Sequence, residues 1–309
     1  NYFFRLSRYQ EDLIRLIETN ALLIVPRHRK NEITSFLKEP LQDISISRTN
    51  ARAKNWGVPV PGDDTQRMYV WFDALNIYQS GVGFGWDEQQ YQEWWPADVH
   101  VIGKGITRFH AVYWPAFLLS AKLTLPKAIH VHGYITAEGQ KMSKTIGNVV
   151  DPFSVVEKYG TDPVRYYLLR EIPSGEDGDF GVEKLASRYN GDLANGLGNL
   201  VARVATLGEK ISPIALEKNH VDQALQSVVA ANRVACENGI REFRLNEALG
   251  SIWELIGIAD KYINDARPWA MKNDEAALRI IMGNAALLLW DIAELLAPFL
   301  PETAGKIQR

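Results

Sequence analysis

At 309 residues and 46 % hydrophobic content, the chain has length for two domains and apolar material for a core in each. A net charge of −3 excludes the overall basic field of a nonspecific nucleic-acid binder. The single cysteine, Cys236, excludes an internal disulfide framework and a cysteine-based zinc site within this chain, and it reads as a packed thiol of a reducing compartment.

Phe3, Phe4, Leu6, Tyr9, Leu13, Ile14 and Ile17 keep a three-to-four spacing, which predicts a helix over residues 1 to 20 stopped at Asn20. The chain is thus expected to open mid-helix on Asn1, without a charged-then-apolar leader. Pro26 forces an extended step, residues 31 to 38 read as a short helix, and 41 to 48 alternate like a strand. Met68 to Leu75 reads as a buried strand running into a helix, and 81 to 96, rich in Gly, Trp and acids, as a surface loop. Val99 to Gly103 is another strand, ending in Gly103-Lys104-Gly105 before a helix over 109 to 122; Ala128 to Ile135 is a third. Strands alternating with helices predict a parallel α/β sheet with ligands at the carboxyl ends of its strands, where 71–78, 103–110 and 136–147 fall.

The third strand runs into a loop bracketed by Gly139 and Gly147, with Lys141 and Lys144 three residues apart and Met142, Ser143 and Thr145 around them. Two ammonium groups with neighbouring hydroxyls on a glycine-flanked loop suit an extended anion such as a polyphosphate, although an isolated K-x-x-K is more often a solvated basic turn. Charge supports the first reading: residues 101 to 170 hold nine lysines and arginines against four acids.

Residues 173 to 181 form an acidic, turn-rich connector, and the rest reads as helix. Leu185, Tyr189, Leu193, Leu197, Leu200, Val204, Leu207 and Ile211 predict one long helix, with others over 221 to 239, 246 to 265 and 275 to 297. Asn195, Asn199 and Arg203 make a polar stripe on the long helix, in a groove or exposed, and Asp265-Ala-Arg-Pro-Trp269 offers an aromatic. Such a set could hydrogen-bond and stack an unpaired base, while spacing alone equally fits a capped helix end with a packed tryptophan. Asp291, Glu294 and Pro298 interrupt the most apolar run, Ala285 to Leu300, and argue against a membrane span.

K-M-S-K-T-x-G-N from Lys141 to Asn148, followed by D-P and Y-G-x-D-x-x-R-Y-Y, resembles the signature loop of class I aminoacyl-tRNA synthetases. Asn1-Tyr-Phe-Phe-Arg-Leu-Ser, Ile46-Ser-Arg and Trp56-Gly-Val-Pro-Val-Pro61, with W-F-D-A-L-x-x-Y from Trp71 and F-H-A-V-Y-W-P-A from Phe109, make the whole chain similar to the methionyl-tRNA synthetase family. The resemblance implies an α/β fold: residues 1–50 ending a connective insertion, 51–172 completing the second half of a Rossmann-like catalytic domain, and 173–309 forming an α-helical anticodon-binding bundle. It implies a methionine pocket of Trp71, Ala74, Leu75, Tyr78, Ile106 and His110, whose aromatic rings suit a polarizable thioether. Without the motif, Trp71 and Tyr78 would read as core aromatics and His110 as a structural histidine.

By the same resemblance, ATP meets Gly103, Lys141, Met142, Ser143 and Lys144, the two lysines are catalytic, and Asn195, Asn199, Arg203, Pro268 and Trp269 receive the anticodon. Gly105 departs from the family's G-K-D turn, leaving open what replaces that acid near the ribose; Lys104 reads equally as a phosphate or tRNA contact or as a solvated lysine. The family's His-x-Gly-His signature is not found, which places it, with any zinc knuckle, upstream of Asn1. The implied reaction joins methionine and ATP to methionyl-adenylate and pyrophosphate, then charges tRNA(Met), with Mg²⁺ assisting and no zinc held by this chain. Implied partners are tRNA(Met), methionine, ATP and the missing amino-terminal half, in a cytoplasmic setting without a membrane. The alternative is a noncatalytic tRNA-binding fragment or paralogue. A relative that adenylylates a small substrate without tRNA is disfavoured by the Asn199, Arg203 and Trp269 set.

Overall fold

A computed structural model describes the chain apart from Glu138, Lys144, Ile146, Ser212, residues 214–216, 272 and 273, and the side chain of Asn219. It forms two compact units, Asn1–His132 and Gly133–Arg309.

The first unit opens extended rather than helical. β1 (Phe3–Phe4) pairs antiparallel with β3 (Ile44–Ser45), and α1 begins only at Gln10 (Gln10–Glu18) after a short 3-10 turn. The expected helix therefore covers half its range, and Asn20, in the left-handed region at φ 57°, ends the turn behind it. The chain continues through β2 (Leu23–Val25), α2 (Arg27–Phe36) and β4 (Ser47–Thr49), then α3 (Asn50–Ala53), β5 (Pro59–Val60) and β6 (Asp63–Met68). The strand ends where the apolar run begins: Val70–Ala74 is already helix (α4), followed by α5 (Ile77–Ser80). Within 81–96, read above as a loop, lies α6 (Glu88–Trp94), and Tyr91 and Trp95 are buried with Leu75 and Trp114.

β7 (Val99–Gly103) leads through a 3-10 turn and a π-helical segment, Phe109–Tyr113, into α7 (Trp114–Ala121) and then β8 (Ala128–His132). The sheet is parallel in the order β2-β8-β7, with Ile129 opposite Ile24 and His100. Ile24, Ile102, Ile129 and Val131 bury against Leu13, Ile17 and Ile33, as strands covered on both faces require.

In the second unit, β9 (Ile135–Ala137) is flanked by β10 (Gln140–Lys141) antiparallel and β11 (Gly178–Phe180) parallel, so the acidic connector is partly strand. α8 (Pro152–Tyr159) and α9 (Thr161–Glu171) lie between them in sequence. The long helix runs from α10 (Val182–Arg188) through a π-helical stretch, Tyr189–Gly198, to α11 (Asn199–Glu209), leaving Ile211 in the turn beyond. α12 (Gln223–Arg241), α13 (Leu245–Ala266), α14 (Glu275–Leu296) and α15 (Pro301–Ile307) complete the bundle. α14 is long and apolar enough to cross a membrane, yet Met282, Leu288, Ile292 and Leu296 pack into the core with Ile252, Leu255 and Ile263 of α13. A parallel α/β sheet followed by a helical bundle is the architecture expected from the sequence, and Cys236 is buried in that bundle.

Candidate functional sites

The expected pocket residues arise from two turns of the first unit. α4 and α5 are too short to persist alone. They are held by Leu75, 1 % exposed, whose side chain packs with Trp95 and Trp114 rather than opening to solvent. That anchor presents Trp71 and Tyr78 half-buried and Ala74 exposed. The π-helical segment after β7 supplies His110, 1 % exposed.

Tyr78 Oη lies 2.8 Å from His110 Nε2, and His110 Nδ1 lies 3.0 Å from the Ile106 carbonyl oxygen. That carbonyl can only accept, so in the neutral imidazole Nδ1 carries the proton, Nε2 accepts and the Tyr78 hydroxyl donates. Burial lowers the pKa of His110 and raises that of Tyr78, so both are uncharged at neutral pH. Trp71 stacks on Phe109 at 4.4 Å, one residue from His110. The structure thus joins Tyr78, His110 and Ile106 by hydrogen bonds, with Trp71 one stacked ring away.

Sequence reasoning missed His100, whose ring centre is 4.2 Å from that of Tyr78. Burial, with a smaller push from His110, lowers its pKa to about 4. Gly103 ends β7, and Lys104 and Gly105 open the 3-10 turn after it. Lys104 and Gly105, with Thr107 and Arg108, line a cleft of about 980 Å³ faced by His28 and Asn31 of α2.

The lysine loop is held at both ends. Gly139 and Gly147 have φ of 71° and 77°, where a side chain would be strained. Asp179 of β11 accepts from Gly139 N–H (2.7 Å) and the Thr136 hydroxyl (2.8 Å), and these donors lower its pKa. Across the neck, Asn148 accepts from Ser143 N–H (2.9 Å) and donates to the Lys141 carbonyl (3.3 Å). Lys141 is exposed on β10, whereas Met142 is partly buried against the cluster of Val164, Tyr167, Phe180 and Leu185. Lys144 lies outside the described residues.

In the bundle, Asn195, Asn199, Arg203 and Trp269 line one groove of about 760 Å³ with Trp253 and Asp260. The Arg203 guanidinium bonds Asp260 (2.5 Å) and Asn264 (2.7 Å) and stands 5.5 Å from the centre of the Trp269 ring. Trp269 is 50 % exposed, on a 3-10 turn whose Pro268 is buried. The expected set is therefore brought together, except that Pro268 anchors the turn rather than facing the groove. Asp260 and Asn264 were missed, although a polar pair four apart on the apolar helix α13 is a signal.

A family model described as tRNA synthetases class I (M) matches residues 1–205. The chain is 43 % identical over 314 residues to a methionine–tRNA ligase of Brucella suis, covering 99 % of this chain and 60 % of that protein. It is 44 % identical to that of Clostridium acetobutylicum, of which it covers 49 %. Among solved structures, Mycobacterium tuberculosis methionyl-tRNA synthetase bound by methionyl-adenylate superposes with a TM-score of 0.89 at 39 % identity, covering 100 % of this chain and 62 % of that one. The chain spans about half to three fifths of the length of these curated relatives, and across that span it belongs to the class I (M) tRNA synthetases.

Proposed function

We propose that the chain is the carboxyl-terminal portion of an enzyme that activates methionine with ATP and attaches it to tRNA(Met). The observation that carries this reading is the uncharged pair of half-buried Tyr78 and buried His110 beside Trp71, a setting suited to a thioether and hostile to a charged side chain. Trp71, Ala74, Tyr78, Ile106 and His110 hold the methionine side chain, with Leu75 anchoring their turn from the core. The Gly103 turn and Lys141, Met142, Ser143 and Lys144 serve ATP. In the first step the methionine carboxylate attacks the α-phosphorus and pyrophosphate leaves with the bond electrons. In the second, a hydroxyl of the terminal tRNA ribose attacks the adenylate carbonyl and AMP departs.

Lys141 and Lys144 act by stabilising phosphate charge, so positioning and electrostatics supply the catalysis. Mg²⁺ is assigned to the phosphates of ATP. Residues 1–50 close an insertion, 51–172 complete the catalytic half and 173–309 bind tRNA. There Asn195, Asn199, Arg203 and Trp269 meet the anticodon, with Pro268 fixing the tryptophan. Methionine-dependent exchange of pyrophosphate into ATP by the intact enzyme tests the reading. His110→Ala should raise the methionine KM and leave the ATP KM in place; equal losses for both substrates would refute the pocket.

A further inference from the structure

Tyr78 stands between two histidines, and the pocket reading uses only one of them. Its hydroxyl proton is spent on His110 Nε2, because the Ile106 carbonyl fixes the other nitrogen as the donor. Against the Tyr78 ring lies the imidazole of His100, at 4.2 Å and 49° between planes, 4 % exposed. Trp95 and His110 enclose it, at 6.2 and 6.1 Å. Its Nε2 is fully buried and has no hydrogen-bond partner among the described residues. A phenyl ring would fill the same place in this aromatic cluster without burying an unmatched polar atom. The imidazole is therefore costly in the unliganded protein, and the cost calls for a state in which that nitrogen is paired.

We propose that His100 is a positioning residue for substrate side-chain recognition, its Nε2 serving as the second hydrogen-bonding partner of the Tyr78 hydroxyl. This rests on the reading that Tyr78 and His110 receive the methionine side chain. A side chain entering beside them competes for the short contact between hydroxyl and imidazole. A displaced hydroxyl would be orphaned unless it met another acceptor, and the His100 imidazole stands 4.2 Å from the Tyr78 ring, centre to centre. The swap moves the unmatched acceptor from His100 Nε2 to His110 Nε2 and keeps the hydroxyl paired in the filled pocket, where without His100 both the hydroxyl and His110 Nε2 would be orphaned. It needs His100 unprotonated, as its burial dictates.

The test uses the intact enzyme with His100→Phe, His100→Asn and His110→Ala, read by methionine-dependent pyrophosphate exchange and by melting with and without methionine. His100→Phe should raise the methionine KM roughly three- to tenfold, the worth of one net hydrogen bond. The kcat and ATP KM should stay within about twofold. Its unliganded Tm should not fall, because an orphan polar atom has gone, while the rise in Tm on adding methionine should shrink. His100→Asn, which keeps a polar group, should recover part of the KM. An unchanged methionine KM in His100→Phe would overturn the inference. So would a lowered unliganded Tm with parallel loss in both substrates, which marks a packing role. If His110→Ala raises the methionine KM and His100→Phe does not, only the His100 inference falls. If His110→Ala leaves it unchanged, the pocket reading falls and the inference with it.

Discussion

Truncating Trp269 separates the two steps of the proposed reaction. The ring is half exposed and stands beside Arg203, whose guanidinium is held independently by Asp260 and Asn264. Removing it therefore costs the fold little beyond a cation–π contact at an exposed site, about 0.5 to 1 kcal/mol. Arg203 keeps its place in Trp269→Ala, and Asn195 and Asn199 are untouched. What is lost is the stacking surface, worth about 1 to 3 kcal/mol per base, or roughly 5- to 150-fold in tRNA kcat/KM. Adenylate formation uses no tRNA and should stay within about twofold. The assay is aminoacylation and pyrophosphate exchange on one preparation of the intact enzyme, with the Tm measured alongside. A parallel drop in all three would show that the tryptophan is a packing residue and would refute the groove as an anticodon site.

Four further outcomes follow from the geometry. Tyr78→Phe leaves His110 Nε2 buried without its donor, so it should destabilise the protein by about 1 to 3 kcal/mol and raise the methionine KM; denaturant titration with kinetics checks both. Lys141→Ala removes an exposed charge and should slow pyrophosphate exchange while leaving the Tm in place. Asp179→Asn, by loosening the hold on Gly139 and Thr136, should slow exchange with Lys141 intact; a wild-type rate in either variant would sink the loop's role. Acid should also weaken the fold through His100. Its pKa falls from 6.5 to about 4, so the unfolded chain binds the extra proton between those values. Stability is then full above pH 6.5 and declines as pH falls towards 4, by about 3 kcal/mol at 1.36 kcal/mol per unit. His100→Phe should shift the acid-unfolding midpoint down, and an unmoved midpoint would contradict this.

What could be read from the sequence was what is local. The helices of the bundle declared themselves through apolar spacing, because each buries one stripe. The edge strand Leu23–Val25 did not, since three residues confined between Asn20 and Pro26 hold no period. α6 was hidden because its Gln and Glu residues mask the four-residue spacing of Tyr91 and Trp95, the two side chains that reach the core. β11 escaped because Gly-Asp-Phe has no strand character of its own; it pairs because Asp179 ties it to the lysine loop. The site followed the same division. Contiguous motifs exposed Trp71, Tyr78 and His110, but the bond between Tyr78 and His110 spans 32 residues and the hold of Asp260 on Arg203 spans 57. Such partners are fixed by packing, which no local pattern reports.

The same holds for the π-helical segments, which underlie the proposed pocket and groove. In the first unit the Trp114 N–H bonds the Phe109 carbonyl, five residues back, across the turn that carries His110. In the bundle, Tyr189–Gly198 carries Asn195 immediately before α11 presents Asn199 and Arg203. A π turn is less favourable than an α turn and persists only where its surroundings reward it. Around His110 the reward is visible: the ring bonds the Ile106 carbonyl on one side and Tyr78 on the other, so a buried imidazole is satisfied at both nitrogens. In the bundle the segment is rich in Gly and Asn, residues that give a helix little stability of their own, and its Leu197 is buried in the core, 3 % exposed. Both segments trade helical regularity for the placement of one polar side chain. Such π turns are frequent at functional sites, which accords with the roles proposed for His110 and Asn195.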